Sequence, residues 1–217
     1  MWVLIGPPGA GKGTQAQRLA ERMSVPHIAS GDLFRRHISQ GTELGREAER
    51  YMREGALVPD RLTVKMIEQR LAEPDAAEGA ILDGFPRTRP QAEALDALLA
   101  RRGARVAGAL YIDVDREVLL RRLSGRWLCG ASADHVYHEL TRPPRRPGVC
   151  DVDGSPLLQR DDDKPATVKA RLDKQLPPMY EVVDYYAEQG LLSTVDGDQP
   201  IPDVTEALLR AIAAPAR

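Results

Sequence analysis

"GPPGAGKGT", residues 6–14, follows the apolar run Trp2-Val3-Leu4-Ile5 and precedes a segment in which Ala16, Leu19, Ala20 and Met23 recur at helical spacing. Strand, glycine loop and helix in that order make a phosphate site. Glycines let the backbone turn its N–H groups inward as an anion nest, the helix start adds positive dipole, and Lys12 brings a mobile charge to the outer phosphates. The general pattern puts Ser or Thr directly after the lysine, whereas here Gly13 takes that slot and Thr14 comes one place later. Phosphate binding by the loop is thus more directly implied than magnesium ligation by Thr14.

Further along, Ala80-Ile81-Leu82 ending in Asp83 and Ala109-Leu110-Tyr111-Ile112 ending in Asp113 read as buried strands, each followed by helical pattern. Leu191 to Val195, stopped by Asp196-Gly197, reads as a last strand, and Val204 to Ala213 as an amphipathic helix. Strands alternating with helices predict a parallel sheet covered on both faces. Asp83 stands where such folds place a carboxylate that holds magnesium, directly or through water; the plain alternative is a strand-ending Asp that caps the next turn.

Two stretches break the alternation. Residues 30–58 carry helical pattern with breaks at Gly41 and Gly45 and no strand, and 125–163 hold Pro143, Pro144, Pro147, Gly148 and Gly154 among short alternating runs such as Val136-Tyr137-His138. A small helical insertion and a small β-rich one are predicted, at positions where mobile lids are commonly placed.

At 217 residues the chain suits one core carrying insertions, and a net charge of −2 excludes general attraction to nucleic acid or an anionic membrane. No apolar run is long enough to span a membrane, and no basic leader follows Met1, so a cytoplasmic protein is expected. Lysine occurs only at 12, 65, 164, 169 and 174, leaving 25 arginines. In such a chain an arginine counts only where its position is argued; Arg101, Arg102, Arg145 and Arg146 stand in no motif and read as surface.

Residues 6–14, "SGDLFR" at 30–35, "LDGFPRT" at 82–88 with Gln91 after it, "GR" at 125–126, "VYH" at 136–138 and "QRDDD" at 159–163 with Arg171 after it together resemble the adenylate kinase family, in order and spacing, over essentially the whole chain. The long segment 125–163 is similar to the long lid of bacterial members. The resemblance implies an α/β nucleotide-kinase fold with a phosphate-loop core (1–29, 59–124 and 164–217), an AMP-binding insertion (30–58) and a lid (125–163). It implies reversible phosphoryl transfer from MgATP to AMP, giving two ADP, by a monomer.

Position by position, Ser30, Arg35, the backbone of Ala56, Leu57 and Val58, then Gly84, Phe85, Pro86, Arg87 and Gln91 match the AMP side, with Arg160 and Arg171 reaching it. Gly9, Ala10, Gly11, Lys12, Gly13, Thr14, Arg122, Arg126, Val136, Tyr137 and the backbone near Gln199 match the ATP side. Lys12, Arg87, Arg126, Arg160 and Arg171 match the charges on the transferring group, and Thr14 and Asp83 match the magnesium side, through water. Ser30 stands where Thr is usual, keeping the hydroxyl and losing a methyl. Two polyanions brought in line need such cations, whereas no general base is required, because the AMP phosphate is already an anion. Of the acidic run, Asp162 or Asp163 reads as a lid hinge or a partner for an arginine. The readings left beside AMP kinase are a kinase of another nucleoside monophosphate and a nucleotide-binding regulator without transfer activity, which the two-sided set of arginines and Gln91 disfavours.

The two cysteines, Cys129 and Cys150, fall inside 125–163. Familiar long lids carry Cys-x2-Cys and then Cys-x2-Cys or Cys-x2-Asp; here Cys129-x2-Ser132 precedes Cys150-x2-Asp153. Serine ligates zinc poorly, but His135 supplies a fourth legitimate ligand, so Cys129, His135, Cys150 and Asp153 resemble a variant structural zinc site. A hydrogen-bonded lid using Ser132 and Asp153, or a disulfide, remain the other readings.

Overall fold

The computed structural model describes residues 1–132 and 135–214, apart from the side chains of Asp162, Pro165 and Ala166. At its centre lie five parallel strands: β1 (Trp2–Ile5), β2 (His27–Ala29), β3 (Ile81–Asp83), β4 (Gly108–Asp113) and, at the far edge, the strand Leu192–Asp196. β1 pairs with β3 on one side, Val3 opposite Leu82, and with β4 on the other, Val3 opposite Ala109. β2 extends the sheet beyond β3, and Leu192–Asp196 extends it beyond β4.

Successive strand residues point to opposite faces. Val3 and Ile5 join one core with Phe34, Leu95 and Tyr186, while Leu4 joins another with Leu19, Leu119 and Leu208. The second face is covered by α1 (Lys12–Met23), α6 (Arg116–Ser124) and α8 (Ile201–Ala213). The first is covered by α4 (Asp60–Leu71), α5 (Arg89–Ala100) and the C-terminal half of α7 (Pro165–Glu188), whose N-terminal half supplies Val168 and Leu172 to the second core.

Between β2 and α4 come α2 (Ser30–Ser39) and α3 (Glu43–Arg53). Between α6 and α7, β5 (Arg126–Cys129) pairs antiparallel with β6 (Val136–His138) and β7 (Leu157–Leu158), around a small cluster of Cys129, Tyr137, Cys150 and Leu157. The final strand of the large sheet is therefore β8.

Four expectations need adjusting. β2 carries only one long apolar side chain, Ile28, and owes its form to pairing with β3, so its sequence signal is weak. Gly45 does not break a helix: it lies inside α3, where Thr42 caps its N–H and where a Cβ would fall 2.2 Å from the His37 carbonyl oxygen. It is the residue that lets α3 lie against α2. The last strand is shifted one residue from Leu191–Val195, and α8 begins before Val204, its first turn started by Pro200 and Pro202. Among the described residues no helix is long and apolar enough to cross a membrane.

Candidate active site

At the mouth of β1, Gly9 and Gly11 take left-handed φ values of 86° and 92°, and α1 starts with no side-chain cap and no acid in its first turn. Its leading N–H groups are thereby left to an anion. Lys12 Nζ curls back to donate to the carbonyls of Gly6 (2.7 Å) and Pro7 (3.0 Å). Desolvation pushes its ammonium down to about 7, against the pull of Asp83 and with the push of Arg87, Arg171 and Arg126. Asp83, at the end of β3, meets His27 Nε2 at 3.2 Å. Burial works to raise its pKa, but the bond from His27 and the charge of Lys12 hold it below the usual carboxylate range. A Cβ on Gly13 would stand 3.7 Å from Asp83 Oδ2, so the slot without a hydroxyl faces this carboxylate, with the half-buried Thr14 one place on.

Two adjoining cavities open along the C-terminal ends of the strands. One, of about 510 Å³, is lined by Ser30, Arg35, Ala56, Leu57, Val58, Gly84, Arg87, Gln91, Arg160 and Arg171. The other, of about 420 Å³, is lined by Gly6, Lys12, Gly84, Pro86, Arg87 and Arg171. Gly84, Arg87, Arg171 and Gln175 line both, so the phosphate loop and the second cavity meet across the same two guanidinium groups. Phe85 lines neither; it is 1% exposed and anchors this turn in the core.

Local bonds hold these side chains. Ser30 Oγ donates to the Gly84 carbonyl (2.6 Å), and Arg35 pairs with Asp32. Gln91 accepts the Arg87 backbone N–H through Oε1 (2.8 Å) and donates through Nε2 to Asp60 (2.7 Å), which also accepts from Thr88 Oγ1 (3.0 Å). An acceptor-only carboxylate on one side and a donor-only N–H on the other fix which way this buried amide points.

On the other flank, Arg122 Nη1 donates to the Gly197 carbonyl and Nη2 to Asp198, both at 3.0 Å, while Gln199 Nε2 donates to Asp196 (3.1 Å). Arg122 and the backbone beside Gln199 therefore share one site at the end of β8. Arg126 opens β5 and forks onto Asp163 at 2.8 and 2.6 Å, and Arg171 reaches the same carboxylate at 3.2 Å. Asp163, fully buried, is thus the arginine partner of the acidic run; the Asp162 side chain lies outside the described residues.

In the small sheet, ligand atoms of Cys129, His135, Cys150 and Asp153 all lie within 4.8 Å of one another. Cys129 Sγ is 3.2 Å from Asp153 Oδ2, Cys150 Sγ 3.4 Å from His135 Nδ1, and His135 Nδ1 3.2 Å from Asp153 Oδ2. A tetrahedral zinc sets its ligand atoms about 3.3 to 3.8 Å apart, so donor set and spacing fit that ion. Both cysteines are free thiols. Tyr137, reaching from β6, contacts Cys150 Sγ (3.5 Å) and accepts the Asp151 N–H (2.7 Å); Ser132 offers its main-chain carbonyl to the His135 N–H.

Motif matching had pointed to most of this site. The side chains outside those motifs are His27, Asp60 and Gln175. They act through contacts 31 to 120 residues away along the chain, for which local sequence carries no signal.

A phosphate loop opening onto a crevice at the C-terminal ends of a parallel sheet, with arginines on both flanks and two inserted pieces beside it, defines a P-loop nucleotide kinase. The family model described as "Adenylate kinase" matches residues 4–191. The chain is similar to adenylate kinases of Streptomyces coelicolor, 48% identical over 210 residues (97% of either chain), and Moorella thermoacetica, 49% identical over 97% of this chain and 96% of that one. It is also similar to that of Listeria monocytogenes, 47% identical over 93% of this chain and 94% of the other. The chain belongs to the adenylate kinase family.

Proposed function

We propose that reversible transfer of a phosphoryl group from ATP to AMP, the reaction of the family to which this chain belongs, is carried out here by Lys12, Arg87, Arg126, Arg160 and Arg171. The observation that carries this is the shared wall of the two cavities, in which Arg87 and Arg171 face the phosphate loop on one side and the pocket of Ser30, Gln91 and residues 56–58 on the other. ATP phosphates lie on the loop from Gly9 to Thr14, and the adenine end lies toward Arg122, Val136, Tyr137 and the backbone near Gln199. AMP fills the larger cavity, its phosphate on Arg35 and Arg87 and its base against the backbone of Ala56 to Val58 and the side chain of Gln91.

An oxygen of the AMP phosphate attacks the γ-phosphorus of ATP, the bond to the β,γ-bridging oxygen breaks, and two ADP result; the arginines and Lys12 neutralise charge on the equatorial oxygens. Magnesium enters with ATP as MgATP, held through water by Asp83 and Thr14. Residues 30–58 serve as the AMP-binding insertion and 125–163 as a lid. Cys129, His135, Cys150 and Asp153 hold a structural zinc that stiffens the lid and takes no part in the chemistry. The enzyme acts on both nucleotides as a monomer in the cytoplasm.

The test is turnover with ATP against AMP, CMP, UMP and GMP. AMP should be the strongly preferred acceptor. A clear preference for any other would overturn the assignment of the larger cavity.

A further inference from the structure

Gln175 belongs to no motif, yet it is 8% exposed and lines both cavities. Its Oε1 accepts from Arg87 Nη1 at 2.9 Å, and its Nε2 donates to the Gly55 carbonyl at 2.8 Å. A guanidinium only donates and a carbonyl only accepts, so the two neighbours fix the amide's orientation. Arg87 Nε is held separately by the Gly84 carbonyl at 2.7 Å, which leaves Gln175 as a second fix on the guanidinium.

The other end matters equally. Gly55 immediately precedes Ala56, and it lies so close to α7 that a Cβ there would stand 3.1 Å from Arg171 Cβ. Lys174 donates to the adjoining Glu54 carbonyl at 3.1 Å. Helix α7 therefore stitches the end of α3 at two consecutive carbonyls, and Gln175 carries that stitch across the cavity to Arg87. Among side chains of this reach, only a primary amide both donates and accepts without charge; a carboxylate would repel Gly55, and a hydrocarbon would leave two buried partners unmet.

We propose that Gln175 is a positioning residue for phosphoryl transfer, setting the distance between the arginine that holds the AMP phosphate and the loop that holds the AMP base. The inference rests on the assignment of AMP to the larger cavity. Misplacing an acceptor by an ångström is enough to slow an in-line transfer severely. The donor nucleotide, on the opposite side of Arg87, makes no use of the Gly55 loop.

Gln175→Met keeps the volume and removes both bonds. KM for AMP should rise about tenfold and kcat should fall several-fold, with KM for ATP changing less than about twofold. Gln175→Glu, which keeps an acceptor for Arg87 and loses the donor to Gly55, should also raise KM for AMP while recovering kcat relative to the Met variant. In an Arg87→Ala background Gln175→Met should add little, because its partner is gone. Unchanged AMP kinetics in both Gln175 variants, equal losses for AMP and ATP, or additive effects with Arg87→Ala would overturn the proposal. Arg87→Ala that leaves AMP kinetics untouched would instead sink the cavity assignment itself.

Discussion

Lys12 is the residue at which fold and charge balance meet most sharply. Its ammonium is bound by two carbonyls yet shares its surroundings with three guanidinium groups, and desolvation brings its pKa down to about 7 from 10.5. In the substrate-free protein the folded state therefore releases this proton near neutrality, while the unfolded chain keeps it until about pH 10. Below pH 7 both states are protonated and Lys12 adds no pH dependence; between the two values the unfolded state binds more protons, so its contribution to stability grows as pH rises. Phosphates on the loop restore the charged form. Nucleotide binding at about pH 8 should thus take up close to one proton, read by calorimetry in buffers of different ionisation enthalpy. The uptake should shrink toward pH 6 and vanish in Lys12→Met, which should also lose most turnover while remaining folded. An uptake unchanged by that substitution would place the proton elsewhere.

Among the elements, the small sheet of β5, β6 and β7 is the least self-sufficient. Among the described residues its buried cluster comprises four, and two of them are the cysteines. So small a core needs a staple, and a metal held by the ring of Cys129, His135, Cys150 and Asp153, as proposed, would supply it. Tyr137 links that ring to β6, the strand assigned to the ATP side. Protein isolated without chelator should contain about one zinc per chain, and stripping it should lower the unfolding temperature of the lid. Absence of metal together with two freely titrating thiols would refute the site. How legible each element was in the sequence follows from how local its cause is. The phosphate loop announces itself because Gly9, Gly11 and Lys12 do their work within one turn, and β4 because five consecutive buried residues mark it. β2 is held by its neighbour rather than by its own pattern, and Gly45 by a contact with α2, so the first went unmarked and the second read as a break. Gln91 was visible beside "DGFPRT", whereas Gln175 acquires its meaning only when α7 folds back over Arg87 and Gly55.

For the molecule as a whole, the decisive arrangement is that the cations proposed to carry the transfer do not come from one stretch of sequence. Lys12, Arg87 and Arg171 stand on the elements around the large sheet, while Arg126 and Arg160 stand at the two ends of the segment that carries the small one. The fully buried carboxylate of Asp163 joins the two sets, taking a fork from Arg126 and a third bond from Arg171. Water is the competing acceptor for a bound ATP, so a full set of cations should assemble only around both nucleotides, with water expelled. If the lid's position completes the site, each cycle must include closing and reopening over two polyanions held by many charge-assisted bonds. Such motions run on the microsecond-to-millisecond scale and commonly limit well-tuned enzymes. The phosphoryl transfer step, measured in a single turnover with enzyme in excess, should therefore be faster than steady-state kcat, and kcat should fall as solvent viscosity rises. Weakening the lid's grip on product, by Arg126→Lys, should slow the chemical step while narrowing the gap between the two rates. A chemical step no faster than steady-state turnover in the unmodified enzyme would mean that transfer itself, and not the lid, sets the pace.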